Sequence, residues 1–287
     1  MLNIDLHCHS NVSDGVLAPR DVVLRAAANG VDVLALTDHD DVAGLADAQS
    51  AAQAAGIVFV PGVEISVTWG GQTVHVVGLR IDPFHRALVD GLAAIRRGRS
   101  ERAQRMAEDL ARVGIVGALE GAARFAANPQ LIGRTHFARW LVERGHASDV
   151  RASFRRFLTR GNPGYVEHQW TTLDNAVGWI RASGGIAVLA HPGRYAFNAR
   201  ELHLLLDAFR SLGGEGIEVI TGSHHPSEYG KFADLARAFG LAASRGADFH
   251  APGEGVDIGR LPALPHYCRP VWQDWPECAA RPAANAA

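Results

Sequence analysis

The sequence predicts an α/β fold in which helices cover a mostly parallel β-sheet. Seven short apolar runs rich in β-branched residues recur along the chain, and segments with helical spacing separate most of them. A longer stretch, residues 86–165, is helical in pattern and contains no such run, so it predicts an inserted helical subdomain. The 287 residues suffice for one large domain that carries this insertion.

Each apolar run is short and is bounded by turn residues, often glycine, which is the pattern of a buried strand. The fourth run follows the third across Gly70 and Gly71, a pair that predicts a hairpin and therefore an antiparallel pairing. In chain order the seven runs are NIDL, VDVLALT, GIVFVPGV, TVHVVGL, GIAVLA, GIEVI and GLAAS.

The segments between the runs carry helix start and stop signals. Pro19 and Asp21 open the first predicted helix, and Gly30 closes it. From about residue 252 the chain is rich in proline and aromatic residues, which predicts an irregular wrap over the surface. Further helices are predicted at 41–55, 172–183, 200–212 and 226–239.

Charge is distributed unevenly along the chain. Residues 86–160 hold fifteen arginines, no lysine and seven acidic residues, a net charge of +8, although the whole chain has a net charge of −2. This asymmetry predicts an anionic partner at the insertion, and a solvated arginine-rich helix face is the alternative. The overall charge predicts no general attraction to duplex DNA.

Composition also predicts the compartment. The three cysteines, Cys8, Cys268 and Cys278, form no CxxC pair, and so sparse a set argues for a reducing environment. The start of the sequence lacks the basic and apolar regions of a signal peptide, and no apolar stretch approaches the ~20 residues that span a bilayer. We therefore expect a cytoplasmic protein without membrane contact.

Side chains that bind metals recur where the predicted strands end. His7 and His9 follow the first strand, and Asp248 and His250 repeat the same i, i+2 spacing after the last. Side chains two apart on an extended chain project to one side, which turns Cys8 away and predicts that it packs. In a barrel of parallel strands the carboxyl ends meet on one face. The remaining candidates are Asp14, His39, Glu64, His75 and His191, with His224 after the sixth strand.

These residue types limit the metal. Imidazoles and carboxylates without thiolate suit Zn, Mn or Fe. Nine candidates are too many for one ion but suit three ions that share a carboxylate and a water or hydroxide. Such clusters favour hydrolysis at phosphorus, because they lower the pKa of the shared water and neutralise phosphate charge.

Six ordered motifs resemble those of the PHP (polymerase and histidinol phosphatase) family between residue 2 and about 250: DLHCHSNVSDG, ALTDHD, PGVEIS, VHVVG, AHPGR and GADFH. The resemblance implies a distorted (β/α)7 barrel with a trinuclear metal centre. It places the barrel at 1–85 and 166–287 and an arginine-rich subdomain that caps the substrate at 86–165.

Carried over by motif, the resemblance assigns ligands to each of three divalent ions, for which Mn is preferred and Zn or Fe are alternatives. Glu64 bridges the first two ions, and Asp14 stands where some relatives have histidine. Asp38, beside His39, is expected to orient a ligand rather than to bind metal. The first ion takes His7, His9, Glu64 and Asp248, the second Glu64, His75 and His191, and the third Asp14, His39 and His250.

Three further segments, ALEGAARFA, IGRTHFARWLV and GYVEHQW, resemble bacterial enzymes that remove the 3′-phosphate of nucleoside 3′,5′-bisphosphates, with relatives that act as 5′→3′ exoribonucleases on short RNA. Both activities need a clamp for a phosphate that is not cleaved, and arginine is the expected clamp because it binds phosphate bidentately. The candidate substrate-binding residues are Arg99, Arg102, Arg105, Arg134, Thr135, His136, Arg194 and His224, although Arg99 and Arg105 also fit surface charge and His136 a capping or packing role.

The expected mechanism is in-line attack on phosphorus by a hydroxide that bridges metal ions. A carboxylate beside the metals, Asp14 or Asp248, or else His224, is a candidate acid for the leaving oxygen. One alternative function is histidinol-phosphate phosphatase, for which nothing requires so basic an insertion. Another is a non-catalytic metal-binding or nucleic-acid-binding module, which the complete set of nine ligands disfavours.

Overall fold

A computed structural model describes residues 2–279 and contains one mixed sheet of seven strands in sequential order. All neighbouring strands are parallel except β4, which is antiparallel to both β3 and β5. All seven predicted strands and the predicted hairpin are present. The strands are β1 (Ile4–Asp5), β2 (Val33–Leu36), β3 (Val58–Trp69), β4 (Gln72–Leu79), β5 (Ile186–Leu189), β6 (Gly216–Thr221) and β7 (Ala242–Gly246).

The sheet curls until its two edge strands nearly meet. The Leu6 N–H donates to the Arg245 carbonyl over 3.0 Å, and the His9 N–H donates to the Phe249 carbonyl over 2.9 Å. Gly246 permits this approach, since a Cβ there would lie 2.3 Å from the Cβ of His7. The result is a distorted seven-stranded barrel, as the family resemblance implied.

Reversal of β4 matters for the position of one predicted ligand. The chain turns through Gly70 and Gly71, whose φ angles of +54° and +73° favour glycine. His75 lies in the first half of β4, opposite Ser66 of β3. Because β4 runs against its neighbours, its beginning lies at the rim where the parallel strands end.

Five helices cover the outside of the barrel, close to the predicted segments. Helix α1 begins at Pro19, as predicted from the low cost of proline in the first helical turn. The α1 helix presents Val22, Val23 and Ala26 to an apolar layer that also contains Leu34 and Leu36 of β2. The covering helices are α1 (Pro19–Ala28), α2 (Leu45–Ala55), α7 (Leu173–Ala182), α8 (Ala199–Ser211) and α9 (Tyr229–Ala238).

Residues 86–158 contain helices and turns but no strand. The longest element, α3, contributes Leu92 to the apolar layer of the barrel and Met106 and Leu110 to a separate cluster with Phe137. A π-helical turn spans Phe154–Leu158. The helices of this inserted segment are α3 (Arg86–Arg112), α4 (Ala118–Ala123), α5 (Arg134–Glu143) and α6 (Val150–Ser153).

The chain after residue 252 is mostly irregular and ends, within the described residues, in α10 (Pro276–Ala279). Val271 and Trp275 from this segment join an apolar cluster that takes side chains from six of the seven strands, among them Val60 and Val188. The segment therefore packs against the barrel interior rather than only over the surface. Among the residues described, no helix combines the length and apolarity needed to cross a membrane.

Candidate metal centre and substrate cleft

The structure brings all nine predicted metal ligands together at one rim of the barrel. Their ligand atoms form four overlapping groups, and within each group the atoms lie within 4.8 Å of one another. Loops after β1, β2, β5 and β7 supply seven of them, and β3 and β4 supply Glu64 and His75. The nine residues are His7, His9, Asp14, His39, Glu64, His75, His191, Asp248 and His250.

One group joins the two edges of the barrel. The Nε2 atoms of His7 and His9 lie 3.1 Å apart. His9 Nε2 is 3.4 Å from Glu64 Oε2 and 3.3 Å from Asp248 Oδ1. Cys8 points away from this group into the apolar layer, and its Sγ donates to the Ala35 carbonyl. These four side chains are those that the resemblance assigned to the first ion.

A second group surrounds the other oxygen of Glu64. Glu64 Oε1 lies 2.8 Å from His75 Nδ1 and 2.9 Å from His191 Nε2. The two imidazole nitrogens are themselves 3.3 Å apart. The carboxylate therefore faces both groups, which is the position of a bridging ligand.

A third group lies towards the inserted segment. His250 Nε2 is 3.3 Å from Asp14 Oδ1, and His9 Nδ1 is 3.9 Å from the same oxygen. His39 belongs to this group, but its Nδ1 also lies 2.9 Å from Glu64 Oε2. The geometry thus matches the expected third set and adds contacts from His9 and to Glu64.

The donor atoms fit divalent ions. Buried side-chain atoms of several of these residues lack a hydrogen-bond partner within the described chain, including His9 Nδ1, Asp14 Oδ1 and Glu64 Oε2. Ligands at ~2.0–2.2 Å from a tetrahedral Zn²⁺ ion lie roughly 3.4 Å apart, close to the separations seen here. Buried polar atoms without partners are costly, and metal ligation satisfies them.

Electrostatics keep the carboxylates ionised. Burial alone would raise the pKa of the Glu64 carboxyl, but His39, His75 and His7 hold it well below its usual range. The pKa of Asp248 is also well below its usual value, because His7 and other histidines outweigh the effect of burial. Ionised carboxylates are the form that binds metal.

Burial keeps two of the imidazoles neutral. It lowers the pKa of both His9 and His191 to about 3, since a buried imidazolium is poorly solvated. Neutral imidazole is the ligand form, so both rings are ready to bind a cation. His191 and Asp248 also have positive φ angles, +25° and +54°, which are uncommon outside glycine and cluster at functional sites.

Two buried carboxylates support the site without joining the four groups. Asp38 accepts hydrogen bonds from the hydroxyls of Ser10 and Ser13 at 2.6 Å each, so it holds the loop between His9 and Asp14 rather than orienting His39. Glu218 of β6 contacts the His7 side chain and the His191 backbone. It is absent from the predicted site residues, although a charged residue inside the apolar run GIEVI was a signal.

A cleft of about 430 Å³ lies between the rim and the inserted segment. Aromatic side chains of Phe154 and Trp170 line its walls. Of the predicted substrate-binding residues, five line it: Arg99, Arg102, Arg134, Thr135 and Arg194.

Arg102 and Arg134 face the cleft without an acidic partner among the described residues. Arg102 is 7% exposed, and its Nε donates to the Val166 carbonyl. Burial, together with Arg134 and Arg99, lowers the pKa of Arg102 to about 9. Arg134 stands at the start of α5, with its guanidinium 5.7 Å from the Phe154 ring centre. Two neighbouring cations beside a helix N-terminus favour binding of an anion.

Two further arginines of the cleft lining, Arg99 and Arg194, are paired. Arg99 forms an ion pair with Asp40 and donates to Ser66 Oγ over 2.8 Å. Arg194 is half-exposed and donates to Asp248 Oδ2 over 3.1 Å. Arg99 is therefore not a surface charge, and its pairing makes it a weaker phosphate clamp than Arg102 or Arg134.

Three predicted substrate residues lie outside the lining of the cleft. Arg105 is exposed on α3. His136 is fully buried, and its Nδ1 accepts the Gly133 N–H over 3.0 Å, which is the capping role left open above. His224 packs on Phe232 with ring centres 4.3 Å apart, and its Nε2 accepts the Gly193 N–H over 2.9 Å. The ring nitrogens of His224 thus face backbone groups outside the lining of the cleft.

Comparison with known proteins identifies the family. Residues 5–120 match the PHP domain. The chain is 53% identical to a 3′,5′-nucleoside bisphosphate phosphatase of Chromobacterium violaceum, over 99% of this chain and 100% of the relative. It is 44% identical to the 5′-3′ exoribonuclease Rnm of Escherichia coli, over 94% and 93%. A solved amidohydrolase structure from Chromobacterium violaceum, with bound sulfate, is 54% identical and superposes with a TM-score of 0.92 over 94% of this chain and 95% of that one. Together with the seven-stranded barrel, these matches show that the chain belongs to the PHP family.

Proposed function

We propose that this chain is a metal-dependent phosphoesterase that removes the 3′-phosphate of nucleoside 3′,5′-bisphosphates, for example converting adenosine 3′,5′-bisphosphate to AMP. One observation carries the proposal: Arg102 and Arg134, which have no acidic partner among the described residues, line one cleft together with five side chains of the candidate metal centre, Asp14, His39, His75, Asp248 and His250. A substrate with two phosphates can place one at each side. The name of the 53% identical relative supports the same substrate.

Three divalent ions, with Mn preferred and Zn or Fe as alternatives, would be held by the three ligand sets that the family resemblance assigns. The ligands are those assigned above, with Glu64 between the first two ions. When bound, such ions supply an activated water molecule and neutralise charge on the reacting phosphate. Neighbouring histidines outweigh the effect of burial and hold the pKa of both Asp14 and Asp248 well below the usual range, so we assign them as ligands rather than as proton donors.

The chain's own residues would hold and orient the nucleotide. Arg102 and Arg134 bind the phosphate that is not cleaved, and the first turn of α5 directs its N–H groups to the same region. Arg194 lies next to Asp248 and can reach the reacting phosphate. Residues 86–165 would thus form the capping subdomain that the sequence predicts.

A second candidate activity is 5′→3′ hydrolysis of short RNA. The aromatic rings of Phe154 and Trp170 in the cleft walls favour this candidate, because bases stack on aromatic faces at ~1–3 kcal/mol each. The name of the Escherichia coli relative points the same way. In this activity the arginine pair would hold the 5′-phosphate of the RNA. We also propose a cytoplasmic location, because Cys8, Cys268 and Cys278 are all free.

An assay of released inorganic phosphate, and for the RNA of released nucleoside 5′-monophosphate, tests the proposal. The protein, supplied with Mn²⁺, is incubated with a nucleoside 3′,5′-bisphosphate, its 2′,5′ isomer, a nucleoside 3′-monophosphate, histidinol phosphate and a short 5′-phosphorylated RNA. We expect the highest kcat/KM for the 3′,5′-bisphosphate. A preference for histidinol phosphate would favour that phosphatase instead, and no release from any substrate would favour a binding module.

A further inference from the structure

Glu218 lies in the middle of β6 and is 1% exposed. Its Oε1 lies 2.8 Å from His7 Nδ1, and its Oε2 accepts the backbone N–H of His191 over 2.7 Å. Within residues 2–279 these are its two hydrogen-bond partners. A single carboxylate therefore touches one side chain from the first ligand group and the backbone of one residue from the second.

The contact with His7 selects which ring nitrogen is free. A carboxylate can only accept, so Nδ1 of His7 carries the hydrogen and Nε2 keeps its lone pair. That Nε2 points at the first group, 3.4 Å from Glu64 Oε2 and 3.5 Å from Asp248 Oδ1. Glu218 thus orients His7 as a ligand.

The contact with His191 holds a backbone conformation. His191 has a φ of +25°, outside the regions that residues other than glycine favour, so its surroundings must hold it there. The Glu218 oxygen fixes the N–H of this residue. In that conformation the His191 ring places Nε2 2.9 Å from Glu64 Oε1, inside the second group.

The third group is supported by other contacts. His250 Nδ1 lies 2.9 Å from the Asp248 carbonyl, which leaves Nε2 to face Asp14. Thr135 Oγ1 donates to the other oxygen of Asp14 over 2.9 Å. Glu218 touches none of these side chains.

We propose that Glu218 is a positioning residue that couples the first two metal sites and does not act directly on the third. The inference rests on the proposed metal centre. Because one side chain orients a ligand in each of two sites, its change must weaken both together. Loss of a residue that orients a ligand typically lowers metal affinity by about 10–100-fold.

The substitution Glu218→Leu tests this, because leucine is similar in size and can accept neither contact. The His7 ring then loses the acceptor that keeps its hydrogen on Nδ1, and the His191 N–H loses its partner. Asp257→Asn is the control, because Asp257 pairs with Arg25 outside the cluster.

Metal content per chain is measured at the lowest free Mn²⁺ concentration that fills the wild type. We expect about three equivalents for wild type and D257N and about one for E218L, whose ion gives the six-line paramagnetic resonance of isolated Mn²⁺. Adding His250→Ala to E218L should remove that equivalent. Two or three equivalents in E218L, or loss of all three, would overturn the coupling. A wild type without metal would instead refute the proposed centre.

A second measurement covers the case in which E218L does not fold. In ¹⁵N-histidine-labelled wild type loaded with diamagnetic Zn²⁺, His7 should show a protonated Nδ1 that exchanges slowly. The signal is assigned by its absence from His7→Asn. A His7 ring protonated only at Nε2 would overturn the proposal.

Discussion

The Nε of Arg99 donates to the Asp40 carboxylate over 2.7 Å, and this pair joins helix α3 to the loop that carries His39. Asp40 is completely buried and has a φ of +52°, so its loop depends on these contacts. Its carboxylate also accepts from the N–H and hydroxyl of Ser66. The inserted segment is thereby linked to the metal-binding rim through a buried ion pair.

Arg99→Ala should destabilise the protein by about 3–5 kcal/mol, because it leaves the Asp40 charge buried without its partner. Urea unfolding of the protein, freed of metal with a chelator, measures the change in the free energy of unfolding. Arg112→Ala is the matched control on the same helix: Arg112 pairs with Asp109 at the surface, and its loss should cost less than ~1 kcal/mol. Equal effects of the two variants would contradict a special role for the buried pair.

Arg134→Ala should raise KM for a nucleoside 3′,5′-bisphosphate and lower kcat/KM by about 10–100-fold, as expected for a lost charged hydrogen bond of ~1.5–3 kcal/mol. The 3′-monophosphate lacks the second phosphate and should be affected much less. Arg105→Ala, an exposed change outside the cleft lining, should behave as wild type. The clamp assignment fails if R134A impairs both substrates equally.

His224→Gln should keep kcat within a few-fold of wild type and leave both limbs of the pH–rate profile in place. The ring packs on Phe232, and its nitrogens face the Gly193 N–H and the Val219 carbonyl. The Gln amide oxygen can still accept from Gly193, so the main effect is on packing. A fall in kcat above ~100-fold, with loss of the basic limb, would restore His224 as the acid.

Lowering the pH should destabilise the metal-free, chelator-treated protein, and His136 should contribute to this effect. Burial lowers the pKa of His136 to about 4, below the value near 6.5 in an unfolded chain. The unfolded state therefore binds more protons between these values, and stability falls as pH decreases from about 6.5 to 4, by up to roughly 3 kcal/mol. His136→Asn keeps an acceptor for Gly133 and does not titrate.

Urea unfolding at pH 7.5 and 5 compares wild type with H136N. The free energy of unfolding should change less between the two pH values in H136N than in wild type. The same pH dependence in both proteins would show that His136 does not contribute. Other buried histidines, among them His9, act in both proteins and cancel in the comparison.

The meeting of the nine metal-type residues was predictable from sequence, because strand order and strand ends follow from apolar runs. The contacts between side chains that are far apart in the sequence were not predictable. The ion pair between Arg99 and Asp40 links positions 59 residues apart, and no local pattern encodes it. The position of His224 outside the cleft lining was not predictable either, because the turn after β6 carries its ring into the packing around Phe232.

The inserted segment is attached to the barrel through α3, a helix that runs unbroken for 27 residues and buries side chains in both apolar clusters. A continuous helix provides no hinge, so we expect the inserted segment and the barrel to keep their relative position when substrate binds. To alter specificity by exchanging the inserted segment between relatives, the whole of helix α3 would have to be transferred, not only its outer half.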